Sequence, residues 1–445
     1  MQGFRSSRRA LLSLATAFAL GGCTSFSPDG GQDAVRRMVQ ERGGPATPAV
    51  APGALHAHNA TLLAKPLSAD DAVGIALLNN RQLQASYAEL GIAEADLAQA
   101  GRIPNPVLSF GHLRGPDGVD IERTLMLPVV SLLLMPATVQ VEQQRYAVAQ
   151  MRAAGDVLRI ADDTRRAWYG AVAATQSADY MEQVKEAAEA SAELARRMVA
   201  AGNWSTLQQA REQAFLGDAI AQLARARQLR TTEREHLIRL LGLTNGSELQ
   251  LPERLPDLPE APRDGTDAEN KALANRLDIL MAQKELASLS ASLGLTRSTR
   301  FINLLDLGYR RDTAGKGYQI ELQIPLFDWG SARVAKAEAS YMQAAQKAAG
   351  AAIDARSQVR VAYSGYRSAY EVARHYRDEI VPLKKRISDE QLLRYNGMLI
   401  SVFDLLADAR EQVASVNASI EAQRDFWLAD AALQAAMTGS AAPNH

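Results

Sequence analysis

The sequence predicts a mainly α-helical protein with a small β part, built from two similar halves. Two very long stretches, 137–200 and 331–395, are rich in alanine and contain few helix breakers. A short strand-like segment with a central turn precedes each stretch. Prolines and glycines cluster between the halves. Because the same order of elements occurs twice, the chain contains an internal repeat.

The amino terminus predicts an exported protein. Residues 1–22 begin with basic residues and continue into the apolar run 10–20, which fits a signal peptide for general secretion and is too short to span a membrane. The run ends at Leu20-Gly21-Gly22-Cys23, which is similar to a bacterial lipobox. We therefore expect Cys23, the only cysteine of the sequence, to be lipidated and to become the first mature residue. The alternative is an incidental cysteine beside an ordinary cleavage site.

Clusters of proline and glycine divide the mature chain into segments. Residues 23–67 are expected to be a lipidated, flexible tether that contributes nothing to the core. Residues 68–245 and 267–438 are the two helix–hairpin–helix repeats. A Pro-rich linker, 246–266, joins them, and 439–445 form a C-terminal tail.

Each repeat is expected to contain a helix, a β-hairpin, a long helix, a tight turn and a returning helix, in this order. The last strand of the second repeat alternates between apolar and polar side chains, so one of its faces is apolar. Ser205 and Ser401 follow the tight turns and are expected to cap the returning helices. The first helices are expected over Asp70–Gln99 and Asp267–Leu293, the strands over Val107–Leu113, Val119–Leu127, Arg300–Tyr309 and Tyr318–Ile324, and the ends of the returning helices near Leu241 and Met437.

The geometry of these elements indicates an assembly of several chains. A helix of the predicted length would extend on the order of 100 Å and needs an equally long partner, so coiled-coil-like packing is expected. Two hairpins supply four strands, whose edges would be unpaired in a bilayer. Closing a barrel takes about eight strands or more, so more than one chain must contribute if the hairpins enter a membrane. A hairpin with one apolar face can also pack on a soluble core.

Three short motifs carry a family resemblance. Arg276-Leu277-Asp278-Ile279 resembles an Arg-Pro-Asp-Ile motif with Leu in place of Pro, Ile324–Gly330 resembles a Pro-Leu-Phe strand-to-helix junction, and Tyr395–Ala409 resembles a helix-turn-helix tip. In this order and spacing they resemble the TolC-like outer-membrane efflux factor family, including its lipoprotein branch. The resemblance covers almost all of the mature chain.

The resemblance implies a homotrimeric channel. Three chains would supply a twelve-stranded transmembrane β-barrel in the outer membrane and long antiparallel helices that form an α-barrel through the periplasm. The duct would be passive and would carry no catalytic residue, cofactor or metal. Its implied partners are an inner-membrane pump, a periplasmic adaptor protein and outer-membrane lipid. Metal, drug and protein exporters share such a duct, so the substrate class stays open.

The two tight turns are the candidate contact sites for the adaptor or the pump, because the longest helices of each repeat end there. The candidate residues are Gly202 and Trp204 at the first turn and Gly397 and Met398 at the second.

Two acids beside the second turn are candidates for the periplasmic aperture. Asp404 and Asp408 lie one helical turn apart and share a helix face. Three chains would bring them into a ring that narrows the bore and favours cations. Alternatively, both acids only complement the helix dipole at a solvated surface.

Other function classes find little support in the sequence. The formal net charge of −1 provides no polycationic surface for nucleic acid. The sequence contains no Gly-x-Ser-x-Gly elbow, phosphate-binding loop or His-Glu-x-x-His motif, so an enzyme is not expected. The main alternative is a lipid-anchored periplasmic coiled-coil scaffold or adhesin, which would keep the helices but would not need the hairpins.

Overall fold

The computed structural model describes residues 26–46, 53–115, 118–244, 246, 249–265, 267–301, 304–324 and 326–440, apart from the side chain of Phe403. Most of these residues are helical, and four strands form one sheet. Within these ranges, every helix is too short or too polar to cross a membrane. The helices are α1 Gln32–Glu41, α2 Leu55–Leu63, α3 Ala69–Asn79, α4 Arg81–Ala100, α5 Val129–Ala200, α6 Thr206–Leu241, α7 Ala268–Asn275, α8 Leu277–Thr299, α9 Ser331–His375, α10 Val381–Asn396 and α11 Val402–Thr438.

The described part of the chain forms two compact units, and both repeats contribute to each of them. The first unit contains residues 26–35, 85–153 and 278–352, and the second contains the remaining residues. The sequence repeats are therefore not the compact units. Each repeat gives its hairpin to the first unit and its helical turn to the second.

The first unit contains an antiparallel sheet in which the strands follow one another in chain order. The strands are β1 Val107–Gly115, β2 Gly118–Pro128, β3 Leu305–Arg311 and β4 Lys316–Leu322.

Both expected hairpins are confirmed, and β2 pairs with β3 to join them. The third strand starts at Leu305, later than the predicted Arg300, and α8 continues through Thr299, beyond its predicted end at Leu293. In the turn between β3 and β4, Asp312 Oδ1 accepts the N–H group of Gly315 at 2.7 Å.

The core of the second unit contains an aromatic cluster. Tyr366 and Tyr370 of α9 lie on either side of Phe426 of α11, with ring centroids 5.6 and 5.8 Å from its ring. All three side chains are buried. The Pro-rich linker packs on this cluster, because the Tyr370 hydroxyl donates to the Glu260 carbonyl at 2.8 Å and the Arg263 N–H group donates to the Tyr366 hydroxyl at 2.9 Å.

The first helix of each repeat is broken once, where the sequence predicted a continuous helix. Asn80 separates α3 from α4, and Arg276 separates α7 from α8; both have an extended backbone. Each side chain donates to a carbonyl in the last turn of the returning helix of its repeat. Asn80 Nδ2 lies 3.0 Å from the Leu240 oxygen, and Arg276 Nη1 lies 2.8 Å from the Ala436 oxygen. The two repeats thus satisfy a helix C-terminus in the same way.

The expectation that residues 23–67 contribute nothing to the core is wrong. Val35 and Val39, one turn apart on α1, are both buried, as are Leu63 and Leu67. The Leu67 carbonyl also accepts a hydrogen bond from Trp168 Nε1 at 2.8 Å. The apolar spacing on α1 therefore outweighs the local density of proline and glycine.

The long helices depart from the prediction at two prolines. Helix α5 begins at Val129, before the predicted start at 137, and includes Pro136. In the second repeat a π-helical turn, Tyr376–Ile380, separates α9 from α10, and Pro382 lies in the first turn of α10. Because proline lacks the N–H group and crowds the carbonyl four residues earlier, a wider turn before Pro382 accommodates it.

A buried carboxyl group of α5, that of Asp162, lies beside the end of α11. Ser440 Oγ donates to Asp162 Oδ2 at 2.6 Å, and both residues are buried. Burial raises the pKa of Asp162 to about 6, against the opposing effects of the Ser440 hydrogen bond and the nearby Arg165.

Candidate functional site

The sheet of the first unit has an unusual distribution of polarity. Alternate residues of each strand face opposite sides, and directly paired residues of neighbouring strands share a side. One face, here called the apolar face, carries aliphatic and aromatic side chains that are strongly exposed: Tyr318 is 91% and Ile320 68% exposed. On the opposite face, here called the polar face, Thr124 and Met126 are 5% and 8% exposed. A water-soluble sheet would bury its apolar face instead.

The strand register arranges the apolar face in rows. Its successive rows, from the strand ends joined to helices towards the hairpin turns, are Leu305–Leu322, Leu127–Leu307–Ile320, Leu108–Leu125–Tyr309–Tyr318 and Phe110–Arg123–Arg311–Lys316. The face is thus aliphatic first, then partly aromatic, then cationic. In the first hairpin the pairs His112–Ile121 and Arg114–Val119 continue the face to the turn.

The polar face holds an ion-pair network. Arg310 Nε lies 3.2 Å from Glu122 Oε1 and 3.5 Å from Asp312 Oδ2. Gly308 gives Met126 room on the same face, because a Cβ atom at residue 308 would lie 2.1 Å from the Met126 sulfur. This ion-pair network lies on the face opposite the aliphatic rows.

An aromatic cluster follows β4 at the end joined to helices. The rings of Phe301 and Trp329 meet edge to face, with centroids 6.1 Å apart, and the Arg300 guanidinium lies 4.2 Å from the Phe301 ring centroid. Phe327 is 97% exposed. Aromatic rings at both ends of an exposed aliphatic band are typical of a sheet that lies in a bilayer.

The first helical turn, between α5 and α6, is closed by backbone and cap hydrogen bonds. Gly202 has a φ of +76°, and its N–H group donates to the Val199 carbonyl at 2.9 Å. Ser205 forms a reciprocal capping box with Gln208, so its predicted role as N-cap is confirmed. Trp204 is half-buried beside this cap.

The second turn, between α10 and α11, presents an apolar side chain to solvent. Met398 is 93% exposed and has a φ of +59°, a left-handed conformation that favours glycine. The neighbouring Gly397 donates to the Leu393 carbonyl at 2.9 Å. Ser401 is the N-cap of α11, as predicted.

The two aperture candidates have different environments. Asp404 is exposed and completes the capping box: its Oδ2 accepts from the Ser401 N–H group at 3.1 Å and from the hydroxyl at 2.7 Å. Asp408 is half-buried, and its Oδ2 has no hydrogen-bond partner within the described ranges. The capping contacts match the alternative reading of Asp404 as a helix cap, although they leave its charge at the surface.

An ion pair that the sequence did not reveal links the two helix pairs near the turns. Glu212 of α6 is fully buried and is ion-paired with Arg410 of α11, whose guanidinium lies 4.7 Å from the Phe215 ring centroid. Ser191 of α5 donates to the other carboxylate oxygen at 2.7 Å. A glutamate in a polar stretch of a long helix carries no sequence signal, because its partners come from distant segments.

The predicted lipidation site, Cys23, lies outside the described residues. The structure places Gly202 and Trp204 at one turn of the second unit and Gly397 and Met398 at another. Both turns lie within three helical turns of the Glu212–Arg410 ion pair, so they are at the same end of that unit.

Comparison with known proteins agrees with this geometry. Residues 269–439 match the outer membrane efflux protein family. The match confirms the family resemblance drawn from the sequence motifs. The outer membrane efflux protein match covers most of the second repeat, including α8 to α11 and the hairpin β3–β4.

A curated relative and several solved structures extend the comparison. The cobalt-zinc-cadmium resistance protein CzcC of Cupriavidus metallidurans is 25% identical over 274 residues, which are 60% of this chain and 64% of that protein. A membrane protein from Pseudomonas aeruginosa has a TM-score of 0.72 at 18% identity, over 83% of this chain and 93% of the other. The outer membrane protein VceC of Vibrio cholerae has a TM-score of 0.69 at 16% identity, over 83% and 95%. These structures show that the chain has the mainly helical TolC-like channel fold.

Proposed function

We propose that the chain is the outer-membrane channel of a tripartite efflux system and acts as a passive export duct across the periplasm and the outer membrane. The exposed apolar face of the sheet is the observation that carries this proposal. Its aliphatic rows offer a surface for lipid, and the polar face opposite them, with the Arg310–Glu122 pair, offers a lining for water. The comparisons support the same function, because the matching family model is that of outer membrane efflux proteins.

A homotrimer follows from the edges of the sheet. Within the described residues, β1 and β4 each pair on one side only. Unpaired backbone groups cannot face hydrocarbon, so the edges must pair with those of other chains. Three copies of four strands give a twelve-stranded barrel, within the range of known membrane barrels. The helix pairs of the three chains would form the periplasmic α-barrel.

The anchor and the partners complete the proposal. A lipidated Cys23 would add acyl chains to the anchorage that the barrel supplies. A periplasmic adaptor and an inner-membrane pump would contact the turns that carry Gly202, Trp204, Gly397 and Met398. Met398 and the adjacent Leu399 are 93% and 78% exposed, and such neighbouring apolar side chains at a turn support a contact there. Three copies of Asp404 and Asp408 would surround the aperture.

The lipid-anchored scaffold or adhesin is the less favoured function. Such a protein needs only the helices, whereas this chain devotes four strands to a sheet with an outward apolar face. The sheet therefore favours the channel.

The function is tested with the purified full-length protein. In mild detergent we expect a particle with three copies of the chain, and in a planar lipid bilayer we expect discrete steps of ionic current. A scaffold would give neither a twelve-stranded barrel nor current steps. A monodisperse monomer that produces no current at any protein concentration contradicts the proposal.

The partner contact is tested at Met398. The substitution Met398→Gly removes the apolar side chain and suits the positive φ, so the turn itself should be kept. We expect the variant to conduct like the wild type in bilayers but to lose transport in cells that supply the pump and adaptor. Unchanged transport by Met398→Gly would show that this side chain does not contribute to docking.

A further inference from the structure

The fourth row of the apolar face, on the side of the hairpin turns, contains three cations next to one another. Arg123 pairs with Arg311 in the strand register, and Arg311 pairs with Lys316. The three residues come from three strands and are exposed. Directly opposite residues of neighbouring strands have Cβ atoms about 5 Å apart, and like charges at this distance destabilise the pairing.

No acid of the same face offsets these charges. The strand acids Asp120, Glu122, Asp306 and Glu321 lie on the polar face, because they alternate with the apolar rows. Within the described residues, none of the three cations has an ion pair. Arg310, one residue before Arg311 and on the polar face, has two acidic partners. The row therefore lacks counter-charge on the side where the proposed function puts lipid.

The neighbouring row shows where this charge would stand in a bilayer. Tyr309 and Tyr318 form the row immediately below the cations, with ring centroids 6.1 Å apart in an edge-to-face contact. Tyrosine is enriched at the level of lipid headgroups, where one end of the side chain is apolar and the other is hydrated. A face that passes from aliphatic to tyrosine to cation has the profile of a hydrocarbon-to-headgroup boundary.

We propose that Arg123, Arg311 and Lys316 form a binding site for the phosphate of an anionic lipid headgroup in the outer leaflet. The inference rests on the proposed function, which puts the hairpin turns at the outer surface. Two adjacent guanidinium groups can each hold phosphate oxygens by paired hydrogen bonds, and the lysine adds a point charge. A trimer would present three such sites around the barrel.

The experiment titrates the full-length trimer in neutral detergent with diphosphorylated lipid A and counts bound lipids by native mass spectrometry. Replacing all three cations by glutamine should weaken lipid binding by about tenfold or more. The matched control is Arg310→Gln, which removes a cation from the adjacent position on the polar face and should bind lipid like the wild type. Equal affinity for the wild type and the triple variant, or an equal loss in the control, would overturn the inference.

Two further measurements distinguish loss of the lipid site from misfolding of a variant and from a site for free anions. The wild-type protein should bind dephosphorylated lipid A at least about tenfold more weakly than diphosphorylated lipid A. This comparison uses no variant, so it does not depend on whether a variant folds. Inorganic phosphate at the same concentration should not displace the lipid, because it lacks the acyl chains that contact the apolar face. Displacement by phosphate would indicate a site for free anions. Current steps in a bilayer, recorded on the same samples, report the channel function separately, so loss of lipid binding with intact current steps concerns only this site.

Discussion

The contact between the apolar face and lipid is tested most directly by placing a charge on that face. Ile320 lies in the second row from the helical end, four residues from Lys316 along β4. At about 3.4 Å per residue and a tilt of about 40°, this puts Ile320 about 10 Å below the cationic row. An apolar band about 25 Å tall would then have Ile320 close to its centre.

Ile320→Arg should therefore destabilise the inserted protein strongly. Arginine near the midplane of a membrane barrel costs about 2–4 kcal/mol, so the equilibrium for each chain should shift by roughly a hundredfold. A trimer carries the change three times, which gives about 6–12 kcal/mol for the particle. Gln319→Arg is the matched control: it is the adjacent residue on the polar face, where a charge meets water.

The assay is refolding from urea into lipid vesicles, followed by protection of the inserted barrel from protease. We expect the wild type and Gln319→Arg to insert at similar urea concentrations and Ile320→Arg to insert only at much lower ones. Equal tolerance of arginine at both residues would refute the assignment of the faces.

Three further predictions concern substitutions in the second unit. Replacing Asp404 and Asp408 together by asparagine should raise the single-channel conductance and weaken block by multivalent cations, while Ser401→Ala, which removes the cap but keeps the charges, should leave both unchanged. The folded state holds the proton of Asp162 more tightly than the unfolded state, because burial raises the pKa of this carboxyl group to about 6. The free energy of unfolding should therefore fall by on the order of 2–3 kcal/mol as pH rises from about 4 to about 6. Asp162→Asn should remove this pH dependence in thermal unfolding. Arg276→Met should lower the unfolding temperature, because it loses charged hydrogen bonds to the Ala436 carbonyl and to Gln358 Oε1, which stabilise by about 1.5–3 kcal/mol each.

Each of these outcomes has a contradicting result. Unchanged conductance and block in a trimer that still inserts would leave the two aspartates as helix caps only. A pH dependence that persists in Asp162→Asn would assign it to another group. For Arg276→Met the control is Arg360→Met, because Arg360 is exposed and its contact with Glu269 is 3.8 Å long. Equal loss of stability in both variants would contradict a special role for the buried arginine.

The elements that local sequence specifies were predicted well. The caps at Ser205 and Ser401 and the hairpin turn at Asp312 depend on side chains that bond to backbone groups within three residues. Such contacts form wherever the residue types occur at the right spacing. Strand alternation likewise gave the apolar face of β4, because the period of two fixes which residues share a side.

The elements that distant segments specify were missed. The helix breaks at Asn80 and Arg276 have no glycine or proline next to them and depend on carbonyls 160 residues away. The cationic row depends on the pairing of β2 with β3, which joins the two repeats. The buried Glu212 depends on an arginine of the other repeat. Periodicity within one segment carries no information about these partners.

We propose that three chains close the sheet into one barrel, and disulfide trapping tests this closure most directly. If β4 of one chain pairs with β1 of the next, a cysteine at Ser109 and one at Gly317, Gln319 or Glu321 should approach across the new edge on the polar face. With Cys23 lipidated or replaced by alanine, oxidation of the inserted protein should give covalent dimers and trimers and nothing larger. A ladder that continues beyond three chains, or monomers only for every pair, would contradict the trimeric barrel.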